Sequence, residues 1–182
     1  MHPIRAFLLL FLCLLVIGLL VGRARVQELV ESNKRCVIPL SSRMIGVDSY
    51  DPADFALQAL QRIAQGDLVG QSYVCWARFL SMTQPSPQVS RMTRLVSSMY
   101  NYLPTSGLRA SVRDEVLQGL AADQGGIFTQ LNPGSLVRSN DDGTEVVAFS
   151  LGDGRVLHVT LMVEDGLRYV TALEFLSPGG AS

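Results

Sequence analysis

The chain has 182 residues, of which 48% are hydrophobic and 17% charged, with a formal net charge of −1. These values exclude a wholly disordered chain and a generally basic nucleic-acid binder, and modest Gly, Pro and Cys contents exclude collagen and a disulfide-dense scaffold. One domain of ordinary size plus an apolar block remains.

The block comes first. Ala6 to Val21 reads AFLLLFLCLLVIGLLV, uncharged, with Arg5 before it and Arg23 and Arg25 after it. At 1.5 Å per residue a helix of that length covers roughly 24 Å, a little short of a ~30 Å hydrocarbon core. Gly22 and snorkelling arginines at both ends supply the remaining reach, so residues 6–22 would sit in membrane lipid. Three readings compete: an uncleaved signal anchor, a signal peptide cut near Gly22 and Ala24, or a buried helix of a soluble protein. The long apolar run and Arg23 beside the cut favour the anchor. Cys13 lies in mid-run after Leu12, which does not fit a lipoprotein signal.

Orientation rests on two opposed cues. Arg23, Arg25, Lys34 and Arg35 outnumber Arg5, which leans toward a cytoplasmic carboxyl domain. A short basic tail ahead of an apolar run instead resembles an export signal, and this cue is preferred. The protein is then expected at the inner or cell membrane as a single-pass chain with an extracytoplasmic domain. Cys36 and Cys75, the two cysteines outside the block, fit either a disulfide or two unconnected thiols.

Val26–Arg35 can extend the membrane helix, and Ser41–Tyr50 reads as a linker. Asp51-Pro52-Ala53-Asp54 is a helix start, with Asp51 as cap, and Ala56, Leu60, Ile63 and Ala64 share one face until Gly66. Asp67 would cap a second helix carrying Leu68, Ser72, Cys75, Trp76, Phe79 and Met82 on one stripe. A third would bury Val89, Met92, Val96, Met99, Tyr100 and Leu103, and a fourth from Ser106 would bury Leu108, Val112, Val116 and Leu120.

The period changes after Gly125-Gly126. Asp142-Gly143, Asp153-Gly154 and Asp165-Gly166 suit the tight turns of an antiparallel meander. Val147, Phe149 and Leu151 alternate in one strand, Leu157, Val159, Leu161 and Val163 in the next, and Tyr169, Thr171, Leu173 and Phe175 in the last. A short strand around Leu136–Arg138 precedes them. The expected fold is α+β: an N-terminal transmembrane helix, then three to four helices packed on a C-terminal antiparallel meander sheet. The divisions are residues 1–25 as anchor, 26–50 as juxtamembrane helix and linker, 51–176 as globular domain and 177–182 as a flexible tail.

Chemistry is sparse. His2 and His158 are the only histidines; one is in the amino tail and the other inside a strand. No cysteine, histidine or acid grouping has metal-ligand spacing. Gly152-Asp153-Gly154 joins two strands and opens no helix, so it is not a phosphate loop. The paired carboxylates are adjacent rather than opposed across a cleft. No catalytic, cofactor-binding or metal-binding residue is assigned, and neither nucleic acid nor a cofactor is expected. Charge is uneven, however: Leu68 to Arg113 holds five arginines and no acid, while ten acids face three arginines from Asp114 onward. Arg91, Arg94, Arg109 and Arg113 therefore form a candidate interaction surface for anionic headgroups or an acidic partner, unless they merely decorate solvent-facing helix sides.

Asp51–Leu176 resembles the NTF2-like (cystatin-like cone) superfamily. The likeness rests on the join Ala64-Gln65-Gly66-Asp67-Leu68 between two helices and on the closing strands Glu145–Leu151, Arg155–Val163 and Arg168–Phe175. The segment Val89–Leu120 departs from it, standing as a helical insert where the superfamily often has early strands. The resemblance implies a curved sheet wrapped on helices, used as a ligand pocket or as a docking module. The single-pass layout is similar to that of VirB8-type envelope subunits. Two functions follow as expectations. One is a non-catalytic accessory or scaffold subunit among other membrane-protein subunits; the other is a tethered binding protein with an apolar ligand near Tyr73, Trp76, Phe149 and Tyr169.

Overall fold

A computed structural model describes residues 51–177 apart from 67, 84, 85 and 104, and ahead of them residues 18, 21–28, 30, 31 and 36. The expected anchor, the linker at 41–50 and the end of the tail lie almost wholly outside the described residues. Among the described residues no helix is long and apolar enough to cross a membrane.

Helix α1 (Pro52–Ala64) starts as its sequence dictates, with proline in the first turn and Asp54 at the positive end of the dipole. Asp51 caps through its backbone and not its side chain: its carbonyl accepts the Phe55 N–H at 2.9 Å. Gly66 ends the run at φ +67°, a left-handed conformation that glycine adopts at no steric cost. Phe55, Ala59, Leu60 and Ile63 are buried along α1, which touches all four strands on one side and the last helix on the other. Its alanines Ala53, Ala56 and Ala59 are buried too.

The expected second helix is two, α2 (Leu68–Ser72) and α3 (Trp76–Met82). Between them Val74 leaves the helical path to pair, in parallel, with Val170. A backbone group buried at a sheet edge needs a partner, and this pairing supplies it. The split gives five helices among the described residues from Pro52 onward, above the three to four expected on the sheet. Next come α4 (Arg91–Ser97), a 3₁₀ turn (Tyr100–Tyr102) and α5 (Ser106–Phe128). Helix α5 runs straight through Gly125 and Gly126, where the sequence pointed to a break. There it lies so close to α1 that a Cβ on Gly125 would meet the Ala64 carbonyl oxygen at 3.4 Å.

Strands β1 (Ser135–Ser139), β2 (Thr144–Ser150), β3 (Val156–Glu164) and β4 (Leu167–Leu176) form an antiparallel sheet in the order β1-β2-β3-β4. The turns fall at the three Asp-Gly pairs, by two mechanisms. Asp165 and Gly166 both take positive φ, at 52° and 75°, as a two-residue hairpin requires. Asp142 and Asp153 do not; their carboxylates accept the N–H groups of Thr144 and Arg155, two residues on, while the following glycines turn the chain.

Alternation places Val147, Phe149, Leu157, Val159 and Leu161 on the helix-covered face, all essentially inaccessible. In β4 the expected alternation fails in mid-strand. The register shifts opposite Thr160 and Leu161, leaving Thr171 as an extra residue, so that Val170 and Leu173 both face the core. The result is one layer of helices, α1 and α3, on one face of the sheet, backed by α5.

Candidate functional site

The four arginines singled out by charge lie on two elements, Arg91 and Arg94 on α4 and Arg109 and Arg113 on the first half of α5. Ser90 begins α4 by accepting the Thr93 N–H at 3.2 Å on its hydroxyl. Glu115, one turn into the buried stretch of α5, accepts the Ser90 N–H at 2.7 Å on one carboxylate oxygen and the Thr93 hydroxyl on the other. These bonds, from Thr93 first and Ser90 second, hold the Glu115 carboxyl below its ordinary range.

The bonds also decide which side of α4 faces in. Thr93 and Ser97 are buried, whereas Met92, expected in the core, and its neighbour Leu95 are 68% and 66% exposed. Met99, Tyr102 and Leu108 continue the exposed set, so the expected burial of Met92, Met99 and Leu108 is overturned. At i, i+3 and i+7, Met92, Leu95 and Met99 lie along one stripe. The helix therefore turns Thr93 and Ser97 inward beside the half-buried Val96, and Met92 and Leu95 to solvent.

Arginines flank this stripe. Arg91 and Arg94 are exposed on α4; Arg109 and Arg113, one turn apart on α5, are half-buried. Arg109 donates to the Leu103 carbonyl at 2.8 Å. The Arg113 Nε is enclosed and has no partner among the described residues. Beside them burial pushes the Tyr100 hydroxyl up, opposed by the nearby guanidiniums of Arg113 and Arg109. None of the four forms an ion pair among the described residues, where the pairs are Arg155–Asp153 and Arg168–Glu145. The α4 surface thus carries an exposed apolar stripe with Arg91 and Arg94 beside it.

The candidate pocket residues do not converge. Trp76 and Phe149 are part of the main core, Trp76 donating to the Gln71 carbonyl at 3.0 Å and stacking edge-on with Phe79. Tyr73 packs at its margin, its ring 5.8 Å from that of Phe55. Tyr169 pairs with Met162 on the opposite face of the sheet and sits in a separate cluster with Cys75. None of the four lines the groove at Leu173 or the one at Leu151.

Cys36 and Cys75 are joined as a disulfide with Cα atoms 4.8 Å apart. The Cys36 N–H donates to Glu164 at 3.3 Å, which holds Cys36 against the β3–β4 turn. Glu164 and the two sulfurs lie within 4.8 Å of one another, a spacing that metal sites share. Sulfurs bonded to each other are not thiolates, however, and the thiolate is the metal ligand. His158 lies half-buried on the sheet face away from the helices, opposite Glu174 and Ala148. What sequence reasoning missed is the apolar stripe of α4; its signal was the Ser90–Thr93 start, which turns Thr93 inward.

Comparison with family models, with curated proteins and with solved structures finds no match for this chain.

Proposed function

We propose that the protein is a membrane-anchored accessory or scaffold subunit of an envelope complex, without catalytic activity, that docks on a partner subunit through the exposed side of α4. The observation that carries this reading is the outward apolar stripe of Met92, Leu95 and Met99, held there by Glu115 at the expense of burying polar Thr93 and Ser97. Exposed apolar patches with a polar rim are characteristic of interaction surfaces, and methionines adapt to the shape of what they meet. Arg91 and Arg94 beside the stripe supply guanidiniums suited to carboxylates or phosphates. Trp76 and Phe149 are buried in the main core whereas Tyr169 belongs to a separate cluster, which favours docking over a ligand held between helices and sheet.

The apolar block at residues 6–22 is the anchor in this reading, raising the local concentration of the domain near its partners. A disulfide fits an oxidising compartment and supports an extracytoplasmic domain. The arrangement draws on the NTF2-like, VirB8-type layout of one span followed by an envelope domain. A photo-crosslinking residue in place of Leu95, in the full chain in its native membrane, is expected to give an adduct with another membrane protein, and Met92→Asp is expected to abolish it. Recovery of the chain alone, with no adduct to another protein, removes the reading.

A further inference from the structure

The sheet has two outer edges, and both are open in part. All five residues of β1 are exposed, with Leu136 at 45% and Val137 at 57%. The outer edge of β4 is taken for half its length. Cys75 N–H donates to the Val170 carbonyl at 2.9 Å, Val170 N–H to the Tyr73 carbonyl at 2.8 Å, and Leu173 N–H to the Thr83 hydroxyl at 3.2 Å. Backbone groups alternate in direction along a strand, so the outward N–H of Leu173 means that Phe175 also turns its N–H and carbonyl away from β3.

At that point a groove of about 770 Å³ opens. It is walled by Met82, Pro87 and Leu120, and takes Ala172 and Glu174 from one sheet face with Leu173 and Phe175 from the other. A groove lined from both faces follows the edge of the strand and not a face of the sheet. Its charged groups are Arg94, Asp123 and Glu174, two carboxylates against one guanidinium.

We propose that this groove receives the β1 edge of a second copy of the chain, continuing the sheet from one molecule into the next. Strand direction permits it: in the order β1-β2-β3-β4 every neighbour is antiparallel, so a β1 set beyond β4 with the helices on the same side is antiparallel too. Side chains match as well. Leu136 pairs with Val147 and so points to the helix side, where the groove offers Met82 and Leu120. Arg138 pairs with Val146 and points to the other face, the face that carries Glu174.

Neither Arg138 nor Glu174 has an ion-pair partner among the described residues. Two β1 edges would set Arg138 against its own copy, and two β4 edges would do the same with Glu174, so the charges select unlike edges. Such a contact is head-to-tail and open-ended.

Sedimentation velocity of the full chain in mild detergent, over a concentration series, tests the contact. The wild type is expected to associate with rising concentration. Arg138→Glu and Glu174→Arg are each expected to lower the association constant about tenfold, because each alone sets like charges together. Both sites are exposed, and far-UV circular dichroism confirms that the variants fold. Mixing the two variants is expected to restore association, since each then offers the other a complementary edge. A wild type that stays a single species at every concentration overturns the proposal. So do single variants that associate like the wild type, and a mixture that stays as dissociated as its components.

Discussion

Removing the Glu115 carboxylate tests the account of why α4 faces as it does. Glu115→Ala leaves the Ser90 N–H and the Thr93 hydroxyl without their acceptor, while the Ser90 side-chain cap on Thr93 persists. Hydrogen bonds to a charged acceptor contribute about 1.5–3 kcal/mol each when buried. Here Ser90 is exposed and Glu115 half-buried, so water replaces part of the loss, and about 1–2 kcal/mol is expected for the pair. Urea unfolding followed by circular dichroism should show a lower midpoint with an unchanged slope.

The pH dependence follows from the sign of the shift. The Glu115 carboxyl is held below its ordinary value of 4.5 by Thr93 and then Ser90. A carboxylate whose folded pKa is depressed contributes stability that is fully present above its unfolded pKa and is lost as pH falls through the folded one. The gap between wild type and Glu115→Ala is therefore constant at neutral pH and narrows once pH drops below 4.5 toward the folded value. Equal midpoints at pH 7, or a gap that does not narrow in acid, would refute the argument.

Two further outcomes follow from the packing. Gly119 lies where α5 meets the segment before α4, and a Cβ there would stand 2.6 Å from a methyl of Val89, which is 2% exposed and stiff. Gly119→Ala is expected to lower stability by about 1–2 kcal/mol despite the better helix propensity of alanine, and the loss should vanish in a Val89→Ala background, as a thermal double-mutant cycle would show. The Cys36–Cys75 disulfide closes a loop with a sequence separation of 39, for which the chain-entropy relation gives about 4 kcal/mol. Cys36→Ser should therefore reduce the urea midpoint to that of the wild type under reducing conditions, and a reductant that leaves the wild-type midpoint unmoved would contradict the estimate.

Much of the sheet is legible in the sequence because its signals are local. A period of two residues and three Asp-Gly pairs suffice to place β2, β3 and β4 within a residue or two, and the conformations at Asp165 and Gly166 are those the pair prefers. The helix α1 is legible for the same reason, since Pro52 and Gly66 punctuate it. The candidate site is legible only in its charges: the run of arginines is visible in the sequence, but the apolar stripe beside it is not. Periodicity says that Met92, Val96 and Met99 make one side of a helix and Thr93 and Ser97 another, without saying which side has a partner.

What the sequence by itself determines is a run of helices followed by a meander, and an apolar block ahead of both. The tertiary structure decides wherever a residue answers to another far along the chain. Val74 breaks a helix because Val170 needs a backbone partner, and Gly125 stays helical because Ala64 lies against it. Thr171 is pushed out of register so that Val170 and Leu173 both reach the core. Met92 and Leu95 face solvent because Glu115 binds Ser90 and Thr93. The physical reason is common to all four. Hydrophobicity has no direction, so a buried hydrogen bond or a close backbone approach settles an orientation that composition and period leave open.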